Sequence, residues 1–142
     1  MEILQKLTKK QLVALQTVEM LQKGKKGISL LEIAASLRVK PPSALETLRV
    51  LQTLGLVTRI SGKTKLTRLG SGCLAEYTRH HRIAECVFSS YLNAEESHRA
   101  AIEIDMSLSH ETVEELCAAE GHPKMCPHGF PIPPCDADAG SA

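Results

Sequence analysis

His81 and Glu85 stand four residues apart in a stretch with no proline or glycine, so on a helix they share one face. His98 follows on a segment that can fold back antiparallel to that helix. Two imidazoles and a carboxylate form a sensible ligand set for iron, manganese, cobalt, nickel or zinc. The same spacing also suits a surface ion pair. Further along, Cys117, His122, Cys126, His128 and Cys135 fall within nineteen residues. Three cysteines at intervals of nine with two histidines suggest a second site, for zinc or an iron–sulfur cluster, although no closely spaced C-x2-C pair is present. Cys73 and Cys86 lie in a helical stretch and are expected to be buried as small apolar residues. His80 points about 100° away from His81 on a helix, towards DNA or solvent. His110 is expected to be exposed in the first turn of another helix.

The elements that position these groups are mostly helical. A helix is predicted from Thr8 to Lys23, where Leu12, Leu15, Val18 and Leu21 make one stripe, broken by Gly24 to Gly27. Ser29 and Glu32 have the form of a capping box that opens a short helix to about Leu37. Pro41 and Pro42 can start, but not continue, the next helix, which runs to about Leu54 with Gly55 as its stop. Residues 56–60 and 63–67 flank a Ser61-Gly62 turn and predict a two-stranded hairpin with basic residues at its tip. Helix, short helix, tight turn, second helix and hairpin make a winged helix-turn-helix. A long helix from about Ser71 to Leu92 follows, then helices Ala94 to Leu108, capped by Asn93, and His110 to Ala119, capped by Ser109. From Gly121 no period remains. The expected organisation is mainly α: a winged helix-turn-helix over 1–70, a helical dimerisation and metal-binding domain over 71–120, and a Cys/His/Pro-containing tail over 121–142.

The charge is divided along the chain. Its 142 residues carry a net charge of +1, yet residues 1–82 hold 15 Lys and Arg against 5 Asp and Glu, and the remainder holds 2 against 11. A basic first half of this size points to a polyanion, and on this scaffold to double-stranded DNA. The second helix of a helix-turn-helix offers its N-terminal residues to the major groove. Here these are Pro42, Ser43, Glu46, Thr47 and Arg49, with Lys40 just before and Lys63 and Lys65 in the wing as phosphate contacts. The N-terminus lacks the apolar stretch of a signal peptide, and no run approaches the ~18 apolar residues of a membrane span, so a cytoplasmic protein away from membranes is expected. No nucleophile motif or phosphate loop suggests an enzyme.

The run Arg79-His80-His81-Arg82-Ile83-Ala84-Glu85 after a wing resembles the diphtheria-toxin-repressor family of iron- and manganese-dependent repressors. Pro42-Ser43, Gly55-Leu56-Val57, His98 and the tail run from Cys126 to Pro133 share the resemblance, which covers nearly the whole chain. It is to the short, two-domain type. The resemblance implies a homodimer on a palindromic operator, activated by a divalent transition metal, Fe2+ or Mn2+ foremost and Zn2+, Co2+ or Ni2+ otherwise. It implies that His81, Glu85 and His98 form one metal site. A second family site takes one residue from the first helix and three from the helix of His98. Those positions are Val13, Ile102, Asp105 and Met106 here. Asp105 and, weakly, Met106 can ligate, whereas Val13 and Ile102 cannot. The expected function is therefore a metal-responsive repressor of metal-homeostasis genes. The alternatives are a winged-helix regulator with a degenerate metal switch and a redox or iron–sulfur sensor built on the cysteines.

Overall fold

The computed structural model describes residues 2–134, so Cys135 lies outside the described residues. Ten elements follow one another: α1 (Glu2–Lys6), α2 (Lys9–Gln22), β1 (Ile28–Ser29), α3 (Leu30–Leu37), α4 (Pro41–Thr53), β2 (Val57–Ile60), β3 (Lys63–Leu66), α5 (Arg68–Phe88), α6 (Ala94–Ile104) and α7 (His110–Ala119). They divide into two compact units, Leu7–Leu74 and a second made of Met1–Lys6 with Ala75–Ala142. Among the described residues no helix is long and apolar enough to cross a membrane.

The first unit packs α2, α3 and α4 around Leu12, Leu15, Val18, Ile33, Leu48 and Leu51, all with no exposed surface. Each helix start has a local cause. Thr8 and Gln11 form a capping box at α2, and Ser29 and Glu32 form the predicted one at α3. Pro41 occupies the first position of α4, where a missing N–H costs nothing. The chain leaves α3 through Arg38 in the left-handed region, which closes the turn into α4. β2 and β3 form the wing around Ser61 and Gly62, both with positive φ, as a tight hairpin turn requires.

The wing has three strands where two were predicted. Ile28 and Ser29 pair with Thr64 and Lys63, giving the order β1-β3-β2. Two residues carry no period, so β1 leaves no pattern in the sequence. α1 was likewise not foreseen. It belongs to the second unit, where Leu4 is fully buried and Gln5 Nε2 donates to the Ser107 carbonyl at 3.2 Å. α5 starts three residues earlier than predicted and ends at Phe88 rather than Leu92, and α6 ends at Ile104 rather than Leu108.

The second unit is built on Ile83, Val113 and Cys117, with Leu108, Leu116 and Ile132 against them. Ile132 comes from the segment expected to be a tail. That segment is instead an ordered loop: the Cys126 N–H donates to the Phe130 carbonyl and the Ile132 N–H to the Lys124 carbonyl, both at 2.9 Å. Arg79 anchors it from α5, donating from Nη1 to the Pro133 carbonyl at 3.0 Å and pairing with Glu114 of α7 at 2.9 Å. Burial works against the Arg79 charge, and the Glu114 carboxylate together with the Cys117 sulfur more than offsets it.

Candidate metal centre

α5 places His81 and Glu85 on one face, as their spacing demands, and α6 brings His98 to them. His81 Nε2 lies 3.1 Å from Glu85 Oε1 and 3.1 Å from His98 Nδ1, and His98 Nδ1 lies 3.4 Å from Glu85 Oε2. A fourth group arrives from the loop: His128 Nδ1 is 2.9 Å from Glu85 Oε2. Cys126 joins Glu85 and His128 in a second trio whose ligand atoms all lie within 4.8 Å of one another. Glu85 thus has one oxygen turned to His81 and the other to His98 and His128. Together with Arg82 and Phe130, these three histidines and Glu85 line an open cavity of about 350 Å3. The Arg82 guanidinium sits over the Phe130 ring at 5.4 Å and donates to the Pro131 carbonyl, which pins the loop above the site.

The hydrogen bonds around His81 suit a cation at this point. Asp105, with no exposed surface, accepts from the Tyr77 hydroxyl at 2.8 Å and faces His81 Nδ1 at 3.0 Å. Burial, and then the bond to Asp105, raise the Tyr77 phenol well above its ordinary pKa, so it stays a donor. With the Nδ1 proton given to Asp105, a neutral His81 has only a lone pair at Nε2. That lone pair faces a carboxylate oxygen of Glu85, itself only 2% exposed. Two acceptors at 3.1 Å need a proton or a metal ion between them. A ring held by a carboxylate at one nitrogen, with the other turned inward, is the arrangement that orients metal-ligating histidines.

The structure therefore changes several expected roles. Asp105 meets His81 Nδ1 and the Tyr77 hydroxyl through one oxygen, Oδ2, and does not line the cavity with Glu85 and the three histidines. Met106 is half-buried just past α6 and does not line the cavity. Val13 and Ile102 are each 40% exposed. The proposed five-residue cysteine and histidine site does not assemble among the described residues. Cys117 Sγ meets His122 Nδ1 at 3.6 Å, while Cys126 and His128 turn to Glu85 instead. The reason is the turn between Met125 and Pro131, which folds the loop back on itself. Cys73 and Cys86 are buried as expected, and burial lifts the Cys86 thiol to about 11. His80 is not directed to DNA or solvent: it is 1% exposed, and burial depresses it to about 4. His110 is part-exposed.

On the first unit, Lys40, Pro42, Glu46, Arg49, Lys63 and Lys65 are exposed and Ser43 is half-buried. Thr47 is the exception. It is 8% exposed, and its hydroxyl donates to the Ser43 carbonyl at 3.2 Å, so it faces the core of the unit and not a groove.

Asn in place of Asp105 removes the carboxylate behind His81. The expected result is a metal affinity lower by about 10–100-fold, measured by calorimetry on metal-free protein, the usual cost of losing such a backing group. An unchanged affinity would show that His81 needs no such support.

Residues 67–134 match the family model described as iron dependent repressor, metal binding and dimerisation domain. No curated protein is similar enough to match. Among solved structures, a hypothetical protein from Sulfolobus solfataricus shares the fold, with a TM-score of 0.86 over 90% of this chain and 100% of that one at 23% identity. A manganese-dependent transcriptional repressor in complex with manganese is 26% identical with a TM-score of 0.68, over 89% of this chain and 59% of that one. ScaR with bound Cd2+ is 29% identical with a TM-score of 0.74, over 87% and 59%. The chain thus spans a little under two thirds of these longer repressors. With the His81, Glu85 and His98 constellation in place, residues 67–134 are similar to the metal-binding and dimerisation domain of iron-dependent repressors.

Proposed function

We propose that this protein is a homodimeric, metal-responsive transcriptional repressor that binds a palindromic DNA operator through its first unit. The observation that supports it most is the convergence of His81, Glu85, His98 and His128 from two helices and a loop on one point. His81, Glu85 and His98 would hold the ion, with His128 as a fourth ligand and Cys126 beside it. A divalent ion bound there supplies the positive charge that the buried Glu85 carboxylate and the inward lone pair of His81 lack. The expected effector is Fe2+ or Mn2+, and a set dominated by imidazole favours iron of the two.

The chain's own residues do the rest. Asp105 fixes the His81 ring. Arg82 and Phe130 keep the loop carrying His128 over α5. α5 itself is continuous from Arg68 to Phe88 and contributes residues to both units. Lys40, Arg49, Lys63 and Lys65 are exposed cations suited to phosphates, and Ser43 and Glu46 stand near the N-terminal end of α4, where base edges are read. Coupling requires that the ion bind the DNA-competent state more tightly, and DNA must then tighten metal binding by the same factor.

The test is fluorescence anisotropy on a duplex selected from a random pool, with metal-free protein and then with Fe2+ or Mn2+. Operator affinity should rise at least tenfold with metal in the wild type and should not respond in a His81→Ala/His98→Ala variant. Equal affinity in both conditions for the wild type would leave a DNA binder without a metal switch. Visible absorbance in anaerobically purified protein would instead favour the iron–sulfur reading.

A further inference from the structure

A second group of ligand-type side chains lies on a different face of α5. Glu76 and His80 are one helical turn apart, and His110 opens α7. His80 Nε2 is 3.6 Å from Glu76 Oε1, His110 Nδ1 is 3.9 Å from the same oxygen, and the three ligand atoms all lie within 4.8 Å of one another. Neighbouring residues on a helix point about 100° apart, so His80 and His81 serve different clusters.

The distances do not fit direct hydrogen bonds, which close at about 2.7–3.2 Å. Ligands at about 2.0–2.2 Å from tetrahedral zinc stand about 3.3–3.6 Å from each other, so the Glu76–His80 pair at 3.6 Å fits donors around a shared ion, and His110, at 3.9 Å, has to close by a few tenths of an ångström. The independent observation is His80. Its side chain is 1% exposed, and neither Nδ1 nor Nε2 has a hydrogen-bond partner. A buried imidazole with both nitrogens unsatisfied calls for an explanation, because such groups are nearly always paired. We infer that Glu76, His80 and His110 hold a second divalent ion, zinc by their donor set, separate from the centre around Glu85.

Two imidazoles and a carboxylate leave one tetrahedral position, which a water can take. His110, 40% exposed in its side chain, provides the way in. The ion would sit near the start of α7, where the helix dipole opposes a cation. The Glu76 carboxylate beside it, and Glu111 in the first turn of α7, counter that opposition. Such an ion fastens α5 to α7 by three bonds, which is a structural role and distinct from sensing.

Zinc is the probe for the test, titrated into chelator-stripped protein by calorimetry, with elemental analysis after gel filtration and melting followed by circular dichroism. The His81→Ala/His98→Ala variant, with the first centre removed, should keep one equivalent of zinc and melt higher when zinc is added. Adding His110→Ala to it should lower zinc affinity more than 100-fold and abolish the rise in melting temperature. A folded double variant that takes up no zinc overturns the inference, as does a triple variant that still binds. Should the double variant fail to fold, wild type and the single, part-exposed His110→Ala variant should differ by one equivalent of zinc, and equal stoichiometry overturns the inference. DNA binding enters none of these readouts, so the outcome is separate from that of the repressor proposal.

Discussion

Glu85→Gln is expected to abolish measurable metal binding at the centre on α5, a loss well beyond the about 10–100-fold expected when only a backing group is removed. Glu85 is the one residue shared by both trios at this centre, with Oε1 towards His81 and Oε2 towards His98 and His128. Gln keeps the shape but removes the charge and turns one acceptor into a donor. Fold and metal affinity separate in this variant. A neutral amide relieves the cost of burying a carboxylate, so metal-free Glu85→Gln should melt at or above the wild-type temperature while calorimetry shows no binding at the centre of His81, His98 and His128. Retained binding within about tenfold of wild type would place the ion elsewhere. A melting temperature well below wild type would mean that the carboxylate is paired with a protonated histidine in the metal-free state.

Gly70→Ala is expected to destabilise the first unit by about 3 kcal/mol, the upper part of the range for overpacked sites. Gly70 lies in the first turn of α5, where alanine would ordinarily stabilise a helix by about 1 kcal/mol. Sterics decide the sign. A Cβ there would stand 2.1 Å from the Leu56 carbonyl oxygen and 2.8 Å from Leu66 Cδ1. The carbonyl is backbone and already accepts from the Thr67 N–H at 3.1 Å, so it cannot retreat. The Thr67 hydroxyl in turn donates to the Gly55 carbonyl at 2.6 Å and accepts from the Gly70 N–H at 3.0 Å, fixing the junction from both sides. Thermal unfolding should show a fall of about 10 °C. The exposed neighbour Ser71→Ala should shift stability by no more than about 0.5 kcal/mol. Equal behaviour of the two variants would mean that the start of α5 can move.

The helices were legible because their starts are chemical. Ser29 with Glu32, Pro41, Asn93 and Ser109 each mark a boundary that the structure keeps. β1 was not legible, since two residues carry no alternation and its partner β3 is chosen by tertiary pairing. At the candidate site, His81, Glu85 and His98 could be placed from spacing and resemblance. His128 could not be joined to them, because loop residues have no periodicity and their direction is set by the turn at Gly129. Asp105 was legible as a polar group of interest, but position along the chain does not say that its carboxylate meets His81 Nδ1 and the Tyr77 hydroxyl. Thr47 shows the same limit from the other side. A helical wheel places it one step from the exposed face, and packing against the rest of the first unit turns it inward. His80 and His110, read as surface residues, meet at Glu76 only because α7 packs on α5, a contact about thirty residues away in sequence.

The packing of α1 has a consequence for how the chain is assembled. Its partners lie in the unit that begins at Ala75, and the bond from Gln5 to Ser107 spans 102 residues. Residues 2–6 are therefore held without their native contacts until the segment up to Ser107 has been made, whereas Leu7–Leu74 can close on contacts within itself. Folding of the C-terminal unit must include a long loop closure, which slows it relative to the first. During synthesis, the fully buried Leu4 is exposed for the whole of that interval.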